Sequence, residues 1–218
     1  MSEIAREVAS ILLEIGAVAV NTSKPYRYAS GILSPVYCDN RLIMGYPEKR
    51  KQITEYFKIL IEESNLEFDV VAATATAGIP HAAWLAHALD KPMIYIRGSS
   101  KEHGRENRIE GLFEEGRKVL VVEDLISTGG SSFSAVQAVR DAGCSVAACI
   151  AIFTYGLAKA KKLFSDGKCK LFTLSDFSTL IDVAAETKYL NEGEKKTALA
   201  WNKDPENWGK KEGFEKVH

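Results

Sequence analysis

Paired cysteine is missing from this sequence. Its 4 cysteines, Cys38, Cys144, Cys149 and Cys169, form no C-x-x-C pair and no zinc-type spacing with histidine, which excludes a disulfide scaffold and a zinc finger and predicts free thiols in a reducing compartment. Long apolar runs are missing too. The most apolar segment, residues 144–153, falls well short of the roughly 18 to 20 residues that cross a bilayer. The opening M-S-E-I-A-R-E-V sets acids and Arg6 where a secretory signal needs unbroken apolar residues, so a cytoplasmic location is expected. Neither sign of charge dominates: 28 basic against 29 acidic side chains leave a net charge of -1, with no global field for nucleic acid or an anionic membrane, and neither partner is expected. The phosphate-binding pattern G-x-x-x-x-G-K-[ST] and the dinucleotide pattern G-x-G-x-x-G are both absent. His81 and His87 form no H-E-x-x-H arrangement and read as helix-packing residues. There is no internal repeat and no low-complexity tract.

What is present is an ordinary globular composition, 46% hydrophobic and 26% charged over 218 residues, which suits a single domain spanning 1–218. Ile4, Val8, Ile11, Leu12 and Ile15 recur at helical spacing and stop at Gly16. The stretch Y-R-Y-A-S-G-I-L-S-P-V-Y-C-D-N-R then alternates short apolar runs with Ser-Gly and Ser-Pro breaks, as a hairpin-like excursion does, before Pro47 opens a second helix. From Asp69 onward short apolar strands alternate with helical segments, the pattern of an open α/β fold whose mainly parallel sheet is flanked by helices. Strands are predicted at 69–73, 92–96, 119–122, 146–153 and 171–174, and the tail beyond 192 reads as a docked helix with a frayed end. Charge and glycine dominate about 97–117, too long for a plain connection, and this predicts a mobile functional loop.

Residues 119–131, V-L-V-V-E-D-L-I-S-T-G-G-S, run an apolar strand into two acids and a small-residue turn that opens a helix. Ligands of open parallel sheets sit beyond the carboxyl ends of strands. Ser127, Thr128, Gly129, Gly130 and Ser131 offer hydroxyls and unobstructed N–H groups at a positive helix end, which suits a phosphate monoester. Acids beside a phosphate would repel it unless they face hydroxyls or a bridging cation. Because successive strand side chains face opposite ways, Glu123 and Asp124 must do different jobs. A ribose 5-phosphate satisfies both conditions, with phosphate in the turn and ring hydroxyls donating to acid oxygens.

This segment resembles the 5-phosphoribosyl 1-diphosphate (PRPP) signature of the type I phosphoribosyltransferases. Arg97, Lys101, His103 and Gly104 stand in the R-x-x-x-K-x-H-G register, and Ser30, Gly31, Ser34, Pro35 and Tyr37 in the S-G-x-x-S-P-x-Y register, of its orotate phosphoribosyltransferase branch. The resemblance runs from about residue 16 to residue 202. It implies a small hood made of about 1–45 and the C-terminal part, over a core of about 46–165. It implies transfer of phosphoribosyl from PRPP to orotate in pyrimidine (UMP) synthesis, Mg²⁺ held mainly by substrate with no protein ligand named, and a homodimer in which the loop reaches the neighbouring subunit's site. Lys101, His103 and Asp124 would be catalytic. PRPP would be bound by Arg97, Lys101, His103, Glu123, Asp124, Leu125, Ile126 and the turn Ser127, Thr128, Gly129, Gly130 and Ser131, with residues 74–79 touching pyrophosphate. Ser127 would contact the base.

Three family lysines are replaced here by Ala29, Ala77 and Gly98, and Phe177 follows Asp176 where some members carry an arginine for orotate. The orotate carboxylate therefore needs another partner, Arg41 or Arg27. The competing readings are a phosphoribosyltransferase for a purine or another base, and a PRPP-sensing regulator. Lys101 and the absence of a basic face weigh against the regulator.

Overall fold

The apolar stripe of the first segment folds as helix α1 (Ser2–Glu14), with Val8 and Leu12 fully buried and Gly16 taking φ +70° just past its end. In this computed structural model residues 2–28, 31–98 and 108–214 are described. The excursion that follows makes two small antiparallel pairs: β1 (Val18–Val20) with β4 (Val36–Cys38), and β2 (Tyr26–Arg27) with β3 (Leu33–Ser34). A 3-10 helix, Asn40–Gly45, leads to α2 (Pro47–Glu63), which has Pro in its first turn.

Next come β5 (Val70–Thr74), α3 (Gly78–Ala88), β6 (Met93–Ile96), β7 (Ile109–Glu110), β8 (Lys118–Ile126), α4 (Gly130–Asp141), β9 (Ser145–Thr154), α5 (Ala158–Asp166), β10 (Leu171–Asp176), α6 (Phe177–Glu186), α7 (Glu192–Lys203) and α8 (Pro205–Lys211). The six-stranded sheet has the order β10-β9-β8-β5-β6-β7 and is parallel throughout except for β7 at one edge. Near-continuous apolar runs go with such a sheet because helices cover both faces. Val71, Ala73, Leu120, Val122 and Ile150 pack with α1, α2, α3 and α6, while Val70, Ala72, Val119, Val121 and Cys149 pack with α4 and α5. Strand alternation thus produces two cores from one run of valines and alanines.

The chain steps outward from β5 to β6 and β7, then returns to lay β8 on the other side of β5. The helices that leave these two strands therefore lie on opposite faces, and a crevice opens between the carboxyl ends of β5 and β8. Above it sits the hood. Its hinge is an aromatic cluster in which Trp201 of α7 stands 5.5 Å from Tyr155 and 5.5 Å from Phe177, with Tyr28 stacked 5.4 Å from Tyr155. Trp201 Nε1 donates to the carbonyl of Leu33 at 2.9 Å, tying α7 to the β2–β3 hairpin.

The mainly parallel sheet agrees with the alternation from Asp69. Strand β7 was not legible within the charged stretch, because two residues carry no periodicity. Helix α6 escaped notice because Phe177 follows its strand with no intervening turn residue. All four cysteines are buried and free, and among the described residues no helix is long and apolar enough to cross a membrane.

Replacing Trp201 by Ala is expected to cost about 3–5 kcal/mol, the range for deleting a fully buried aromatic. Urea unfolding should show it as a lower midpoint at unchanged slope. A loss under about 1 kcal/mol would mean that this ring does not pin the hood.

Candidate functional site

A cavity of about 470 Å³ opens at the crevice, walled by the end of β8 with its turn, by the turn after β5, and by the hood. The two acids both line the cavity, and their side chains remain in contact. Glu123 is only 6% exposed and lies beneath α4, where Ser132 Oγ donates to its Oε2 at 2.9 Å and the Asp124 N–H donates to its Oε1 at 3.1 Å. Asp124 is half-buried beside the hood, and its carbonyl accepts from Asn40 Nδ2 at 2.7 Å. Asn40 is fully buried and also accepts from the Cys38 thiol, so it fastens the hood to the strand end. Sequence reading passed over it because a lone Asn in a polar stretch carries no signal. Burial, reinforced by Asp124, holds the Glu123 carboxyl well above the usual range, and burial raises Asp124 as well.

Ser127, Thr128, Gly129, Gly130 and Ser131 line the cavity and lead into α4. Gly129 takes φ +81°, and a Cβ there would lie 3.2 Å from the Phe164 ring, so both backbone and space demand glycine. No side chain caps this helix start, which leaves its first N–H groups for a ligand. Leu125 also lines the cavity. Ile126 does not: its side chain is in the core and its carbonyl accepts from the Tyr155 N–H at 3.0 Å, so it anchors the turn to β9.

Across the crevice, Ala75, Thr76 and Ala77 form the second wall, with a cis peptide between Ala75 and Thr76. Gly78 follows because a Cβ there would sit 2.6 Å from the Val122 carbonyl oxygen, and this closeness draws the two turns together. The hood supplies Arg27, Tyr28, Tyr37, Cys38, Asp39 and Arg41. Arg41 grips Asp39 with both arms, Nε to Oδ1 at 2.6 Å and Nη2 to Oδ2 at 2.8 Å, and the guanidinium holds the Asp39 carboxyl below the ordinary range.

Arg97 stands apart from the cavity wall. It follows β6 directly, its Nη1 lies 3.5 Å from Glu110 Oε1, and its backbone pairs with Arg108. Lys101, His103 and Gly104, like Ala29 and Ser30, lie outside the described residues. Phe177 is 2% exposed within the aromatic cluster, turned to the core. His81 is buried in α3 edge-on to Trp84, and desolvation pushes it down to about 4. Among the described residues no group of three or more acid, His or Cys side chains gathers to hold a metal. With Asp39 matched by Arg41, Asp124 and the Glu123 it contacts are the acids left at the cavity among the described residues, a sparse donor set that suits a hard cation bringing most of its oxygen ligands from a phosphate substrate.

The raised carboxyls make stability depend on pH. A carboxyl that holds its proton more tightly when folded loses stability as pH rises above its unfolded value, about 4.3 for Glu. Glu123→Gln keeps an acceptor for Ser132 and removes that term. The melting temperature of the ligand-free variant should therefore gain on the parent as pH goes from about 5 to about 7.5, with Asp124 leaving a residual slope. A difference that stays constant with pH would show that Glu123 is not the group responsible.

A family model for the phosphoribosyl transferase domain matches residues 46–187. The chain is 57% identical over 204 residues to the orotate phosphoribosyltransferase of Coxiella burnetii, covering 94% of this chain and 98% of that one. It is 51% identical over 207 residues to that of Listeria monocytogenes, covering 95% and 99%. Among solved structures, the orotate phosphoribosyltransferase of Aeropyrum pernix superposes with a TM-score of 0.72 at 26% identity, covering 84% of this chain and 99% of that one. Identity of half or more, sustained across nearly the full length of both partners, settles the grouping: the chain belongs to the orotate phosphoribosyltransferase family.

Proposed function

We propose that this chain transfers the 5-phosphoribosyl group of PRPP to orotate, giving orotidine 5-phosphate and pyrophosphate in pyrimidine synthesis. The observation that carries the reading is the uncapped helix start at Gly129, directly after an acid-bearing strand end and lining with it a cavity of about 470 Å³. The half-identical relatives bear the same activity in their names.

In this reading the 5-phosphate sits in the turn from Ser127 to Ser131, where N–H groups and hydroxyls point at it and the helix dipole favours negative charge. Asp124 receives the ribose hydroxyls, while the burial of Glu123 beneath α4 favours its proton and so lessens the charge set against the phosphates. The turn of Ala75, Thr76 and Ala77 offers backbone groups to the diphosphate. The C1–O bond breaks with its electron pair leaving on pyrophosphate, the sugar passes through an oxocarbenium-like state, and the deprotonated ring nitrogen of orotate forms the C1–N bond. Charge grows on the leaving oxygen, so cations placed there stabilise the transition state more than the ground state. Lys101, with His103 and Arg97, is assigned that role. Mg²⁺, held by Asp124 and substrate oxygens, would supply Lewis-acid stabilisation when bound. Ser127 is assigned the contact with the base. Arg97 faces Glu110 and not its own cavity, which supports a loop that serves a second copy in a homodimer.

A pyrophosphate-release assay with PRPP and each of orotate, uracil, hypoxanthine and xanthine should respond to orotate; a response to a purine alone would overturn the assignment. Lys101→Ala should lower kcat at least about a hundredfold with unfolding unchanged, the loss expected for one charge-stabilising donor. Parental turnover in that variant would remove Lys101 from the chemistry.

A further inference from the structure

Orotate differs from uracil by one carboxylate. A site that selects it must give that group a cation, because a carboxylate buried without a partner is costly. Two guanidinium groups reach the cavity, Arg27 and Arg41, and their surroundings differ. The fork of Arg41 that would grip a substrate carboxylate is already filled by Asp39, at 2.6 and 2.8 Å. Moving it to a ligand would also expose Asp39, an acid on the same wall, to an anionic base.

Arg27 is placed otherwise. Among the described residues its guanidinium makes a long hydrogen bond, 3.5 Å from Nη1 to the Gly31 carbonyl in its own hairpin, and no carboxylate lies within ion-pair distance of it. Strand β2 carries it next to Tyr28, which lines the cavity with Tyr37, their rings 6.5 Å apart and inclined at 62°, so aromatic surface for a heterocycle adjoins the cation. Arg27 also borders a neighbouring cavity, but there Lys159 and Lys210 outnumber Glu206, and repulsion biases the guanidinium toward the site. Phe177 contributes no competing cation, being sealed in the core.

We infer that Arg27, the cavity arginine with no acid partner among the described residues, binds the carboxylate of the base and selects orotate over uncharged pyrimidines. The inference rests on the orotate reading of the same site. It is a claim about base selection and leaves the grip on PRPP to the turn after β8.

The test is steady-state kinetics on the full-length enzyme with Arg27→Gln and Arg27→Lys, varying orotate at saturating PRPP and the converse, with uracil as the base lacking the carboxylate. Arg27→Gln should raise KM for orotate at least about tenfold and shrink the orotate-to-uracil ratio of kcat/KM by about the same factor, as expected for losing a charged hydrogen bond, while KM for PRPP stays within about twofold. Arg27→Lys should recover part of the loss. An unchanged orotate KM in Arg27→Gln would overturn the inference, as would KM values for orotate and PRPP rising together. If the parent enzyme released no pyrophosphate with orotate, the functional reading itself would fail, a result separate from either outcome for the variants. Arg27 is exposed, so both variants should melt with the parent.

Discussion

Two neighbouring carboxyls at the end of β8 can coexist beside a phosphate site because burial and their mutual contact favour a proton on Glu123. Glu123 passes under α4, where Ser132 and the Asp124 N–H satisfy it and burial favours its proton. Asp124 lines the cavity beside it. Were both acids ionised, their repulsion would oppose each other and any phosphorylated ligand. The small-residue turn, the uncapped helix and the closeness of the β5 turn can serve an anion only once that charge has been set aside.

Around this pair the hood is held by contacts that are local in space and remote in sequence. Asn40 reaches the Asp124 carbonyl, the Tyr155 hydroxyl accepts the Cys38 N–H at 3.0 Å, and Trp201 holds Leu33. Each is a buried polar group given one defined partner, and in a low-dielectric interior an unmade bond of this kind is costly, so the hood has a single seating. Tyr155 joins the parts: its ring belongs to the aromatic cluster, its hydroxyl meets β4, and its backbone N–H anchors the turn after β8 through Ile126.

Charge is matched in the same way across the cavity. Asp39 and Arg41 cancel, which leaves among the described residues a wall whose remaining positive group is Arg27 and whose remaining acids are Asp124 and the Glu123 in contact with it. The cation and the acids are presented by different elements, one by the hood hairpin and the others by the sheet, so base and sugar can be recognised from opposite sides.

The sequence by itself determined the class of fold and the segment around which the site is built. The valine and alanine runs from Asp69 must be buried on both faces, and residues 119–131 combine strand, acids and glycine turn in a pattern that only a helix start beyond a parallel strand explains. Local spacing carries that information because pleat and helix period are local. What tertiary structure decided was pairing between distant groups. It brought the two acids into contact at one cavity, seated Asn40 against Asp124 over 84 residues of chain, occupied Arg41 with Asp39 while leaving Arg27 without an acid among the described residues, turned Arg97 to Glu110, and buried Phe177. None of these follows from periodicity, since each depends on how the hood docks, and docking is set by packing among residues that sequence order does not bring together.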